Sequence, residues 1–388
     1  MVTTTTIPTK ENDMTTRYID IHVLQSIPPS NINRDDTGSP KTAMFGGRRR
    51  ARVSSQAWKR QTRATFNSWL DPSQIGTRTK DVVRLLAEEI TRQDPELAAD
   101  ADGIAETILN KAGIVLKVKK GEHPGPAQSG YLLFLSAGQV SSLAEAGVAG
   151  QRHGDLAGHL ASIKVKDLAD SKHSVDCALF GRMVADAPDL NVDAACQVAH
   201  AIGVHAAETE FDYFTALDDR QADDTSGAGM IGTVEFISTT LYRYATINLG
   251  QLAANLGNDT ATQQAVQVFI DAFVQSMPTG KQNTFANRTL PDAVVITLRD
   301  DQPINCVGAF ERAVVPGSAE SGYVAAAARA LANHLAALDE GWGASADATF
   351  VSRIGHAAAP LDVVGERVAM KDVGRRVADA VAGSRGPA

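Results

Sequence analysis

Cysteine is scarce in this chain. Cys177, Cys196 and Cys306 are its only thiols in 388 residues. They stand among apolar neighbours and match no metal-ligand spacing, which argues against a disulfide framework and a zinc site and for buried free thiols in a reducing compartment. There is no run of about 18 apolar residues and no signal-peptide pattern, so a soluble, cytoplasmic protein with no membrane partner is expected. No Gly-x-x-x-x-Gly-Lys-Ser/Thr loop is present, so a P-loop nucleotide site is not supported. His22, His173, His200 and His205 are scattered, without a Gly-x-Ser-x-Gly elbow or a catalytic-cysteine signature, and read as satisfied core or surface histidines. No internal repeat is visible, and nothing calls for a cofactor or a metal.

What is present is a concentrated positive field in an acidic chain. The net charge is −8, yet seven of the sixteen residues from Arg48 to Arg63 are basic and none is acidic. Such a field normally holds a polyanion. The order reads as a Gly46-Gly47 bend, a short extended segment, a Ser54-Ser55 helix start and then a helix. Either serine is a good N-cap. Gln56, Lys59, Arg60 and Arg63 then recur at three- and four-residue steps and share a face, while Val53, Ala57 and Trp58 look inward. Free N–H groups at the helix start, serine hydroxyls and the cationic face would form one anion-binding surface. A merely solvated basic face is the bland alternative.

The rest of the chain mixes periods. Tyr18 to Leu24 alternates as a half-buried strand, and Gln25 to Ala43 is loop-like. From Phe66 to Lys172 the character is mainly helical, with stripes such as Val82, Val83, Leu86 and Ile90, and Tyr131 to Leu135 reads as a strand. Cys177 to Met183 looks extended, and Val192 to Val204 fits a helix. Residues 206–232 are polar, with Glu208, Glu210, Asp212, Asp218, Asp219, Asp223 and Asp224 around Phe211, Tyr213 and Phe214. They suit a projecting β-hairpin. Leu241 to Leu249 and Ala293 to Leu298 read as strands, and Ala265 to Met277 and Gly322 to Leu338 as helices. The expected class is α+β, a core interrupted by a helical insertion and a hairpin. The first sixteen residues read as a disordered tail.

Neither Asp35-Asp36 nor Asp218-Asp219 makes a two-metal clamp alone, because adjacent residues of an extended segment point apart. A turn role or an ion pair with Arg34 suits the first pair. Cations beside Tyr213, Phe214 and Met183 instead combine backbone grip with groups that stack on or wedge between bases, the two parts of single-strand binding; plain core packing of Phe214 and Met183 fits their periodicity equally well.

Asn33-Arg34-Asp35-Asp36, Lys41 and Ala43 to Gln56 closely resemble the start of the CasC-type backbone subunits of the type I-E CRISPR complex Cascade (the Cas-seven family). So do Ser174 to Met183, Asp212 to Asp219 and Leu241 to Leu249. The resemblance implies an RNA-recognition-motif-like (ferredoxin-like) palm in three parts, 17–63, 173–205 and 233–359. Helical fingers at 64–172, a thumb hairpin at 206–232 and tails at 1–16 and 360–388 complete the expected organisation. It implies RNA contacts at Arg34, Lys41, Ser54, Gln56, Lys59 and Arg63, with Arg48 and Arg49 beside them, and thumb or base-wedge roles for Met183, Tyr213 and Phe214. The partners implied are CRISPR guide RNA, the target DNA strand through that guide, further copies of the chain in a helical filament, and other Cascade subunits. A non-catalytic scaffold is therefore expected. The rivals are a metal-dependent ribonuclease using Asp35, Asp36 or the hairpin acids, and a monomeric RNA-binding regulator.

Overall fold

The alternation that begins at Tyr18 belongs to a longer strand than expected. In the computed structural model, which describes residues 17–118, 125–216, 230–317 and 322–383, it runs Tyr18–Ser30. Pro28 and Pro29 are accommodated because the register shifts between Ile27 and Ser30, where a residue without an N–H breaks no regular ladder. The strand pairs antiparallel with Met230–Asn248 on one side and Ala293–Arg299 on the other. Across the main sheet the order is Glu366–Arg367, Ala348–Arg353, Ala293–Arg299, Tyr18–Ser30, Met230–Asn248, Ala201–Gly203, Arg48–Val53, Thr42–Phe45.

Helices cover both faces of this sheet, so the first strand is buried on both sides rather than half-buried. On one face, Ile19, Ile21 and Val23 meet the helices Ser55–Trp69, Asp259–Gln275 and Val373–Gly383 through Trp58, Phe66, Phe269, Phe273 and Val377. Burying each such side chain contributes about 2–3 kcal/mol. On the other face, Leu24, Tyr242 and Val295 meet Phe310 and Leu331, the latter on the helix Tyr323–Trp342. The polar residues of that face pair with one another: His22 Nδ1 lies 2.8 Å from the Tyr242 hydroxyl, and the Tyr244 hydroxyl donates to Asp20 at 2.7 Å. Burial lowers the His22 pKa to about 3, which keeps the ring neutral, as a satisfied core histidine should be.

A second core belongs to the helical lobe. The expected stripes are its centre, with Val83, Leu86 and Ile90 on the helix Val82–Gln93 packing on Ile104 and Ile108 of Ala101–Lys111 and on Leu143 of Ala137–Arg152. The lobe does not end at 172, since Val184, Ala187 and Leu190 join its core. Nor does it begin at 64, because the helix Ser55–Trp69 packs on the sheet throughout. Likewise 360–388 is not simply a tail: Val373, Val377 and Val381 recur at four-residue steps and are buried in the sheet body.

Two local expectations are overturned. Cys177 to Met183 is not extended, because Val175–Phe180 is a helix entered through Ser174 and ended by Gly181 at φ 76°. Val192 to Val204 is not a helix but contains the strands Cys196–Val198 and Ala201–Gly203. Their backbones pair with Ala245–Ile247 and Leu241–Tyr242, which outweighs an apolar spacing that fitted either period. The hairpin expectation holds for its described part: Glu210–Ala216 pairs antiparallel with Met230 to Phe236. Asp218, Asp219, Asp223 and Asp224, like the first sixteen residues, lie outside the described residues.

Candidate nucleic-acid interface

The basic helix begins where the serines place it. Ser54 is extended (φ −66°, ψ 146°) and its Oγ accepts from Ala57 N at 3.3 Å. Two other early donors are also taken, however. Ser54 N donates to Asn33 Oδ1 at 2.8 Å and Ser55 N to His200 Nδ1 at 3.0 Å. His200 accepts as a neutral ring, its pKa lowered by burial and then by the nearby charges of Arg52 and Lys41. These N–H groups therefore serve the fold and do not form the open anion site expected from sequence.

The cationic face is where the spacing puts it. Trp58, Thr62 and Phe66 point into the body, while Gln56, Lys59, Arg60 and Arg63 line a groove of about 990 Å³. Met183, 79% exposed, lines it too. The far wall comes from the lobe and includes Arg78, Lys80 and Tyr131. Lys59, Arg60, Arg78 and Lys80 form no salt bridge among the described residues. The Lys59 ammonium lies 5.9 Å from the Phe180 ring centroid, which favours an extended lysine without neutralising it.

Not every arginine of the basic run, or beside the groove, is open to a ligand. Arg63 is committed to Asp176, donating from Nε at 3.1 Å and Nη2 at 3.0 Å, and its guanidinium covers the Phe134 ring at 4.6 Å. A buried carboxylate thus partners its charge, unlike those of Lys59 and Arg60 among the described residues. Arg50 is wholly buried and donates to Gly203 O and Val204 O at 3.0 Å, to Phe310 O at 3.1 Å and to Glu311 O at 3.0 Å. Arg182 is similarly internal, bridging Ala169 O and Asp170 at 2.9 Å each to Leu190 O at 2.8 Å.

The remaining expected residues lie apart from the groove lining. Arg34, Arg48 and Arg49 are exposed and Lys41 is half-buried, all around the Thr42–Phe45 and Arg48–Val53 hairpin. On the ribbon, Tyr213 and Phe211 are exposed at 63% and 66%. Phe214, half-buried, lies over Gly232, where a Cβ would come 2.4 Å from its ring. Asp35 holds a turn, its Oδ1 accepting from Thr37 N at 3.0 Å, Thr37 Oγ1 at 2.7 Å and Ser39 N at 3.0 Å. The Thr37 hydroxyl, more than any other partner, keeps its pKa below the usual range. Among the described residues no three His, Cys, Asp or Glu side chains are grouped to hold a metal, and no helix is long and apolar enough to cross a membrane.

Sequence reasoning missed Arg78 and Lys80. Their only local signal is a basic alternation within Thr77-Arg78-Thr79-Lys80, and the strand Gly76–Thr79 exists because it pairs with the distant Leu133–Ser136.

The chain can be set beside known proteins. Comparison with curated proteins finds no match. A solved chain described as "CRISPR RNA-guided surveillance complex, pre-nicking" is 34% identical, with a TM-score of 0.79 over 94% of this chain and 99% of that one. Another, described as "CRISPR RNA-guided surveillance complex", is 30% identical with a TM-score of 0.70 over the same shares. The model of the CT1975-like protein family matches residues 19–374, from the first strand to the start of the last helix, and this chain belongs to that family.

Proposed function

We propose that this chain is a non-catalytic RNA-binding scaffold of a type I-E CRISPR surveillance complex, a subunit that holds guide RNA and presents it to the target DNA strand. The observation that carries this reading is the groove: four cations free of salt bridges among the described residues, around an exposed methionine, in a chain 34% identical along nearly its whole length to a chain of an RNA-guided complex. The central strand order Ala293–Arg299, Tyr18–Ser30, Met230–Asn248, Ala201–Gly203 supports reading the sheet body as an RNA-recognition-motif-like palm, since helices Ser55–Trp69 and Asp259–Gln275 sit together on one face. The lobe then serves as fingers and the ribbon as a thumb.

In this role the cations neutralise phosphates while base pairing selects the sequence. Met183, Tyr213 and Phe214 divide the RNA into segments, and further copies of the chain continue along the guide beside other subunits of the complex. The anchored turn at Asp35 favours this reading over metal-dependent cleavage. Two measurements test it. The mass of the particle on guides of increasing length should rise by whole subunits, and a constant single copy would defeat the scaffold reading. Complementary RNA incubated with the loaded particle and Mg²⁺ should stay intact; site-specific cleavage abolished by Asp35→Ala or Asp36→Ala would establish the nuclease instead.

A further inference from the structure

We propose that the groove is a two-railed clamp for a single-stranded RNA backbone, with Arg78 and Lys80 of the lobe as its second rail and Asp176 as the joint that sets the distance between rails. The proposal rests on the RNA-binding reading above and adds residues that neither the sequence nor the family match assigns.

The first rail is the helix face bearing Lys59 and Arg60. The second is the short strand Gly76–Thr79 with the residue that follows it. In extended backbone, residues two apart share a face, so Arg78 and Lys80 present their charges together, and both line the groove while remaining exposed. The strand is fixed from behind by pairing with Leu133–Ser136, and Lys80 O accepts from Ser129 N at 3.0 Å.

Both rails meet at one carboxylate. Asp176 is 1% exposed. Its Oδ2 accepts both Arg63 donors of the helix, and its Oδ1 accepts Gly76 N of the lobe strand at 3.0 Å and Cys177 N at 3.1 Å. Gly76 lets the strand come this close, because a Cβ there would lie 2.4 Å from the Phe134 ring. Like charges on two walls of an empty channel repel each other. A rigid joint between the walls holds them at a separation that a polyanion can then bridge. Asp176 is thus a positioning residue, and Arg63 acts through it.

The test is anisotropy of a labelled single-stranded RNA on the full-length chain across a salt series, with thermal melts of each variant. Arg78→Gln and Lys80→Gln should each reduce the slope of log affinity against log salt by about 0.7, and the double variant by about 1.4, with melts unchanged. Lys59→Gln should match a single lobe variant. If only Lys59→Gln moves the slope, the lobe rail is wrong and the scaffold reading stands; if none of them moves it, the RNA reading itself fails. Asp176→Asn should weaken binding several-fold with the slope undiminished, because no groove cation is lost. Wild-type affinity in that variant would overturn the joint. Should it not fold, Arg63→Lys, which keeps the charge but not the two-pronged contact with Asp176 Oδ2, carries the same comparison.

Discussion

The strand Arg48–Val53 and the helix Ser55–Trp69 share one basic run, yet they use their cations in opposite ways. In the strand, Arg50 turns inward and ties two distant segments together through four carbonyls. In the helix, Lys59 and Arg60 form no salt bridge among the described residues and lie beside a groove. Charge density does not separate these fates. Position does: the strand starts exposed at Arg48 and Arg49 and enters the body at Arg50 and Ala51, so Arg50 has packed chain around it, whereas the helix keeps a whole face outside while Trp58 and Phe66 anchor the opposite one. Buried arginine against carbonyls is architecture, and arginine against a buried acid is a joint. Only cations without such partners are left for a ligand.

The largest effect should come from the strand. Arg50→Met leaves four carbonyls without their donor in a closed site, and a loss of about 4 kcal/mol in urea unfolding is expected. A variant with wild-type stability that lost RNA binding would break the comparison by making Arg50 a ligand residue. Asp176→Asn, at the joint, should cost about 3 kcal/mol by the same measurement, since Arg63 loses its countercharge while Gly76 N keeps an acceptor.

Ligand effects come next and are smaller. Lys59→Ala should leave unfolding unchanged and weaken single-stranded RNA binding about fivefold, without sequence preference. Arg48→Ala and Arg49→Ala sharpen the contrast. These exposed hairpin cations lie outside the groove lining, so together they should lower the salt slope by no more than one contact, about 0.7. A larger drop from the pair than from Lys59→Ala would move the RNA path toward the hairpin.

Much of this contrast is legible in the amino-acid order. A serine N-cap at Ser54 or Ser55, the inward Trp58 and the shared face of Gln56, Lys59 and Arg63 follow from spacing alone. The pairing of Arg63 is not legible there, because Asp176 lies 113 residues away and only packing brings it near. The strands at Cys196–Val198 and Ala201–Gly203 are hidden for a related reason: alanine and valine fit helical spacing there, and the partner strand decides. Ser174 and Gly181 are readable as helix punctuation, and they outweigh the apolar run between them. The lobe rail depends on a four-residue strand paired across more than fifty positions, and nothing local announces it.

The smallest effect tests the rule from the acidic side. Asp271 is half-buried on the helix Asp259–Gln275, and it has no salt bridge among the described residues. Its carboxylate fills the space beside Gly374, where a Cβ would come within 2.4 Å of Oδ1. Burial raises its pKa to about 6, so the folded protein holds this proton more tightly than the unfolded chain, whose carboxyl titrates near 4. Stability from this group is therefore full at low pH, declines as pH rises between about 4 and 6, and stays low above that window. Partial exposure and solvent screening reduce the effect to about 1 kcal/mol. Asp271→Asn should accordingly raise stability by that amount at pH 7.5 and leave it unchanged at pH 4, read from urea midpoints at the two pH values. Equal effects at both pH values would show that packing on Gly374, and not an unpaired charge, governs this site, and would separate it from the paired carboxylate of Asp176.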